Sequence, residues 1–185
     1  MCGNLIRMDD FLNGRQSLGD FLAGYDIDIK DVPAGIAEAL AKHDLSEKTI
    51  MAWQDLAILF GRSQRATPIL CLLLARDDHH QHEDITQTLQ TLRDPRTVDC
   101  LFDRANRWLD YLDYNDSMAL GRKCVWALHD IGTEAAIARM QSLTHDVRAH
   151  VSDSAKKKLA DLAKRRPGDP PEAYRVSRDA TLGPL

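Results

Sequence analysis

The densest concentration of chemically capable side chains in this chain is Asp77-Asp78-His79-His80, followed after Gln81 by His82-Glu83-Asp84. Imidazole nitrogens and carboxylate oxygens are ordinary ligands of zinc and related ions, and His79 with Glu83 would share a helical face at i, i+4 spacing. A zinc site usually draws ligands from two separated segments, however, and no second cluster supplies them. The expectation is therefore a solvated loop between two helices, with no metal and no cofactor. His43, His145 and His150 stand apart from any nucleophile or acid partner and are expected at the surface.

Two other groups suit binding rather than catalysis. Trp108, Tyr111 and Tyr114 recur at a spacing of three, with Asp110, Asp113 and Asp116 beside them. On one long helix, Trp108 would join the core while Tyr111 and Tyr114 reach its edge above an acidic rim. A ring with a hydroxyl suits such a half-wet interface, and the rim would favour a basic partner. Trp126 lies off the apolar stripe of its own segment, beside Arg122, Lys123 and His129. A tryptophan so placed is a candidate interface anchor, because Trp and Arg dominate binding energy at protein contacts. The sequence holds no nucleophile elbow, phosphate-binding loop or zinc-protease helix motif.

These groups need elements to hold them, and composition says which kind. The chain has 185 residues, 44% of them hydrophobic and 28% charged, enough to bury a core. The net charge of −4 disfavours nucleic acid as a partner, since neutralising phosphates takes clustered Lys and Arg. The last forty residues alone are net basic, with nine basic and six acidic side chains. No apolar run approaches the roughly 20 residues of a membrane span, and no basic-then-apolar leader opens the chain. Cys71, Cys100 and Cys124 sit among apolar residues, and with Cys2 they form no C-x-x-C pair. Buried, reduced thiols and a cytoplasmic location are expected.

Strand patterns are nearly absent, and apolar residues recur at intervals of three and four. Asp31 caps an expected helix running to about His43. Ser46 opens another that carries Ile50, Trp53, Leu56, Ala57 and Phe60 as far as Gly61. Thr67-Pro68 starts a third, to Ala75, and Ile85, Leu89 and Leu92 form a fourth stripe. Asp94-Pro95 begins a long helix through Val98, Leu101, Ala105, Trp108, Leu109 and Leu112 to about Tyr114. Others run from Asp116 to Ile131, from Thr133 through Ile137, Met140 and Leu143, and from Asp146 to about Arg166.

The stripes repeat. Leu120, Cys124, Leu128 and Ile131 have counterparts 31 residues later at Val151, Ala155, Leu159 and Leu162. Leu89, Leu92, Val98 and Leu101 precede Leu128, Ile131, Ile137 and Met140 by 39. A short helix pair cannot bury its own stripes, so stacked pairs share a core. The run Leu128-His129-Asp130-Ile131-Gly132-Thr133-Glu134 resembles the junction of HEAT repeats, Leu92-Arg93-Asp94-Pro95 is a second version of it, and Asp146-Val147-Arg148 is similar to the opening of a second repeat helix. The resemblance is clearest over residues 80–163.

That resemblance implies an all-α chain. Its form would be a right-handed superhelical stack of antiparallel helix pairs, a HEAT-like α-solenoid, over residues 67–166. Residues 1–66 would form a helical N-terminal cap and 167–185 an extended tail. The function implied is non-catalytic protein binding, as in immunity proteins that neutralise a bacterial toxin, with a toxin or enzyme of basic surface as the partner. The alternative is a HEAT-fold enzyme, such as an alkylated-base DNA glycosylase or a bilin lyase.

Overall fold

Side-chain oxygens placed just ahead of apolar residues open two of the α-helices and two of the 3-10 turns. Ser17 accepts from the Asp20 N–H, Asp28 from Lys30, Asp94 from Arg96 and Thr133 from Ala136. Each satisfies a donor that the first turn would otherwise leave unpaired. The computed structural model describes residues 2–61, 63, 65–115 and 118–164. Its α-helices are α1 Cys2–Leu12, α2 Leu18–Ala23, α3 Ala34–Leu40, α4 Glu47–Leu59 and α5 Thr67–Ala75. They continue as α6 His82–Leu92, α7 Val98–Ala105, α8 Met118–Ile131, α9 Glu134–Leu143 and α10 Ala149–Lys164. Short 3-10 turns fill Ile29–Asp31, Pro95–Thr97 and Asp110–Asn115. Among the described residues there is no strand, so the chain is all-α. None of these helices is long and apolar enough to cross a membrane.

In the first part, Phe11, Phe21 and Trp53 meet edge to face or stacked, with ring centroids 4.9 to 5.7 Å apart. From α5 onward the packing follows a rule. α5 lies against α6 and α7, α6 against α8, α7 against α8 and α9, and both α8 and α9 against α10. Ile85, Leu89, Leu101, Leu120, Leu128, Met140 and Val151 fill the space between them. Gly121 marks a close approach of α10 to α8, because a Cβ there would stand 2.8 Å from Val151 Cγ2. Gly132 ends α8 at φ +65°, a conformation glycine adopts without a steric penalty.

Several expectations change. The long helix from Asp94 to Tyr114 stops at Ala105. Asn106 folds its amide back onto the Phe102 carbonyl at 2.8 Å, and the chain leaves the helical path. Trp108 is consequently 45% exposed rather than part of the core, while Leu109 and Leu112 remain buried. The helix expected from Asp31 begins at Ala34, and the last one begins at Ala149, leaving Val147 98% exposed. Asp116 and the tail from 167 lie outside the described residues. The expected reduced thiols are overturned at two positions: α5 and α7 run side by side, bringing Cys71 and Cys100 to 5.7 Å between Cα atoms, and a disulfide joins them. Cys124 is a free, buried thiol whose pKa burial pushes up to about 12.

Leu128 and Leu101 are both completely buried. Truncating either to Ala is expected to cost about 2–5 kcal/mol in denaturant-induced unfolding. A loss below about 1 kcal/mol would show that these side chains do not carry the core.

Candidate functional site

The connection from α5 to α6 exposes Asp77, Asp78, His80 and Asp84, but it buries His79 and His82. α5 is the most apolar helix of the chain, and its last residue is followed by Arg76 in an extended conformation, φ −83° and ψ 150°. The Arg76 N–H bonds the Leu73 carbonyl at 3.0 Å, and no left-handed turn follows to supply the remaining carbonyls. Four side chains donate at this end. His79 Nε2 donates to the Leu73 carbonyl at 2.8 Å and Arg104 Nη1 to Leu74 at 3.2 Å. Arg107 Nη1 donates to Ala75 at 3.1 Å and His82 Nε2 to Arg76 at 2.6 Å. Cationic guanidinium groups are favourable there, because the carbonyl end of a helix carries partial negative charge.

The second nitrogen of each imidazole is also engaged. His79 Nδ1 accepts from the Gln81 N–H at 3.2 Å, and His82 Nδ1 accepts from the Tyr111 hydroxyl at 2.9 Å. The Gln81 N–H assigns His79 as neutral and protonated on Nε2, and burial keeps His82 in the same form. The rings stack with centroids 4.2 Å apart, and both residues are buried. Burial, reinforced by the neighbouring His79, pulls the His82 pKa down to about 4, and burial lowers that of His79. Burial likewise raises Tyr111 to about 12.

Asp77 completes the network, accepting from Arg104 Nη1 at 2.9 Å, with Arg107 Nη2 3.5 Å from its other oxygen. Partial burial alone would raise the Asp77 pKa, but the bond from Arg104 and the charges of both arginines hold it below the usual range. His79 and Glu83 do not share a helical face, since α6 begins only at His82. Among the described residues no three His, Cys, Asp or Glu side chains are grouped to hold a metal ion.

Trp126 stands differently. It is half-buried on α8, with the Arg122 guanidinium 5.3 Å and the Lys158 ammonium 5.7 Å from its ring. Both distances lie within cation–π range. Beside it, a cleft of about 380 Å³ opens between α8 and α10, lined by Arg122, Trp126, His150, Asp153, Lys157 and Asp161 among others.

The remaining sequence candidates separate from this patch. Lys123 turns toward α6 and pairs with Glu83 at 3.3 Å. His129 is fully buried, not part of a surface, and its Nδ1 donates to Asp130 at 2.9 Å. Asp130 also accepts from Gln90 on α6 at 2.7 Å, so this pair joins two helices. Tyr111 turns inward, with His80 4.5 Å away ring to ring, and Asp110 is exposed on the 3-10 turn. The backbone over Asp110–Asn115 is a 3-10 turn rather than part of a long α-helix, and the side chains of Asp113 and Tyr114 lie outside the described part. His43, expected at the surface, is half-buried and donates to the Phe11 carbonyl at 2.6 Å. His145 is exposed and His150 half-buried. Sequence reasoning missed Arg104 and Arg107 as capping groups. The signal available was their spacing of three on one face of the α7 region, which also fits an ordinary solvated edge.

The lowered His82 and His79 pKa values give stability a pH dependence with a definite sign. Below the ordinary imidazole value near 6.5, the unfolded chain takes up protons that the folded chain refuses until about pH 4. Tm should therefore fall as pH drops from about 6.5 toward 4, ahead of the loss from carboxylates such as Asp77, which protonate lower still. His82→Gln should lower Tm at pH 7.5 yet flatten the slope over that window in a pH series of melts. An unchanged slope would show that His82 is not held neutral. No protein-family model, curated protein or solved structure matches this chain.

Proposed function

We propose that this chain is a non-catalytic protein-binding module of HEAT-like form, which grips its partner through the α8–α10 surface around Trp126. The observation that carries the reading is the tryptophan held between Arg122 and Lys158 at the mouth of a cleft. A flat ring braced by two cations loses little conformational freedom on binding, and aromatic and arginine side chains are the usual anchors of protein interfaces. The packing of α6 on α8 and α8 on α10 supports a solenoid whose second helices form one binding row.

Charge refines the partner. Arg122, Lys157 and Lys158 line the cleft together with Asp153 and Asp161, so the surface at Trp126 carries an excess of positive charge. The segment it receives is therefore acidic, in place of the basic surface that the aspartates near Tyr111 suggested. Neutralisation of a toxin by an immunity protein is one activity that fits such a gripping surface.

Affinity capture from the native host, followed by titration with the recovered protein, tests the reading. Trp126→Ala should leave Tm nearly unchanged and weaken binding by about 2 kcal/mol, roughly thirtyfold in Kd. Reversing charge at Arg122 and Lys158 together should weaken it further in low salt than in high salt. Failure to recover any stoichiometric partner, or full affinity in both variants, overturns the proposal.

A further inference from the structure

Five large apolar side chains stand exposed among the described residues, and three of them, Met51, Ile58 and Leu59, lie on α4. Their placement follows one face. At about 3.6 residues per turn, Lys48, Met51, Asp55, Ile58 and Leu59 fall within about 100° of the helix circumference, and all five are exposed. Ile50, Trp53, Leu56 and Ala57 occupy the opposite side and are buried. α3 packs against α4 beside the exposed stripe and leaves a groove of about 390 Å³, lined by Ile36, Ala39, Met51 and Ala52 among others. Gly35 stands at the same groove with open space before it, since a Cβ there would meet no atom within 4 Å. An exposed apolar stripe on a helix whose other side already fills a core marks a contact surface.

We infer that this face is where two copies of the chain meet, packing α4 against α4 in antiparallel fashion about a two-fold axis between Met51 and Ala52. Such an interface must be complementary to itself, because residues equally far on either side of the axis meet each other. The charges on α4 satisfy that condition. Lys48 lies three residues before Met51 and Asp55 three residues after Ala52, so the axis sets the ammonium of each copy against the carboxylate of the other. Neither side chain has an ion-pair partner among the described residues of its own chain. Met51 of one copy crosses the axis into the α3–α4 groove of the other, beside Ala52, and a flexible thioether adapts to an irregular groove. In the same register Ile58 covers Leu45 of the second copy, itself only half-buried. The charge pattern therefore selects a second copy as the occupant. A different protein would have to present the spacing of opposite charges that this face already carries. α4 takes no part in the α8–α10 surface, so this contact is separate from the one proposed around Trp126.

Sedimentation velocity over a dilution series tests this on the full chain carrying Cys2→Ser, which removes one route to intermolecular disulfides. A species of twice the chain mass is expected. Lys48→Asp and Asp55→Lys each set like charges across the axis, and each alone should weaken dimerisation about tenfold in low salt and less in high salt. An equimolar mixture of those two variants restores opposite charges at both contacts and should dimerise about as tightly as the parent. The variant carrying both substitutions should do the same. Gly35→Glu, which puts a charge into the groove, should also weaken the dimer while thermal melts show the fold intact. A monomer at every concentration, or single variants as tight as the parent, would overturn the inference. So would a mixture no tighter than its components, which would assign the face to a different occupant.

Discussion

The carbonyl end of α5 is the constraint around which the second half of the chain is arranged. α5 is held between α4, α6 and α7, and nearly all its side chains are apolar. The carbonyls from Leu73 to Arg76 at its end take side-chain donors from neighbouring elements, and a buried carbonyl left unpaired would cost about 1–3 kcal/mol. His79, Arg104, Arg107 and His82 each meet one of them. Two of these donors come from the connection into α6 and two from the α7 region. Satisfying one helix end thus fixes where the next helix starts and how the third lies across it.

The same requirement explains features that look unrelated in the sequence. α7 must end near Ala105 so that Arg107 can turn back onto Ala75, and Asn106 supplies the stop. Tyr111 must then reach His82 Nδ1, which docks the 3-10 turn beginning at Asp110 against α6. Asp77 offsets the charge of the arginines that enter this poorly solvated region. The offset is incomplete: Arg104 is only 2% exposed, and its Nε and Nη2 have no hydrogen-bond partner among the described residues. Arg104 is tolerated because its other nitrogen closes both a helix end and an ion pair.

Much of the element pattern was legible because it rests on local rules. Ser46 stands just before α4 without a capping bond of its own, Thr67-Pro68 and Gly132-Thr133 mark helix boundaries through proline geometry and capping, and the stripes at Ile50, Leu89, Leu120 and Leu128 are buried as their spacing requires. The α7 boundary was not legible, since Leu109 and Leu112 prolong the apolar rhythm and a 3-10 turn buries residues three apart just as a helix does. The role of His79 and His82 was hidden for a different reason. A polar run between two helices reads as solvated unless the preceding helix is known to end inside protein. Nor could spacing pair Cys71 with Cys100, because 29 residues separate them and only the lateral packing of α5 on α7 brings them together.

The proposed binding face follows from how α8 distributes its sides. Leu120, Cys124 and Leu128 fill the interior, while Lys123 and Asp130 reach Glu83 and Gln90 on α6. Gly121 lets α10 approach until Val151 Cγ2 lies 2.8 Å from where a Cβ would stand. With those directions committed, Arg122 and Trp126 project along the α8–α10 seam, where Lys158 comes within cation–π distance of the ring. The close crossing at Gly121 therefore does more than seal the core. It sets the distance between the helices and so decides that Trp126 meets a cation from α10 at the edge of an open cleft. A side chain at position 121 would push α10 away and separate Trp126 from one of its two supports, even though it touches neither.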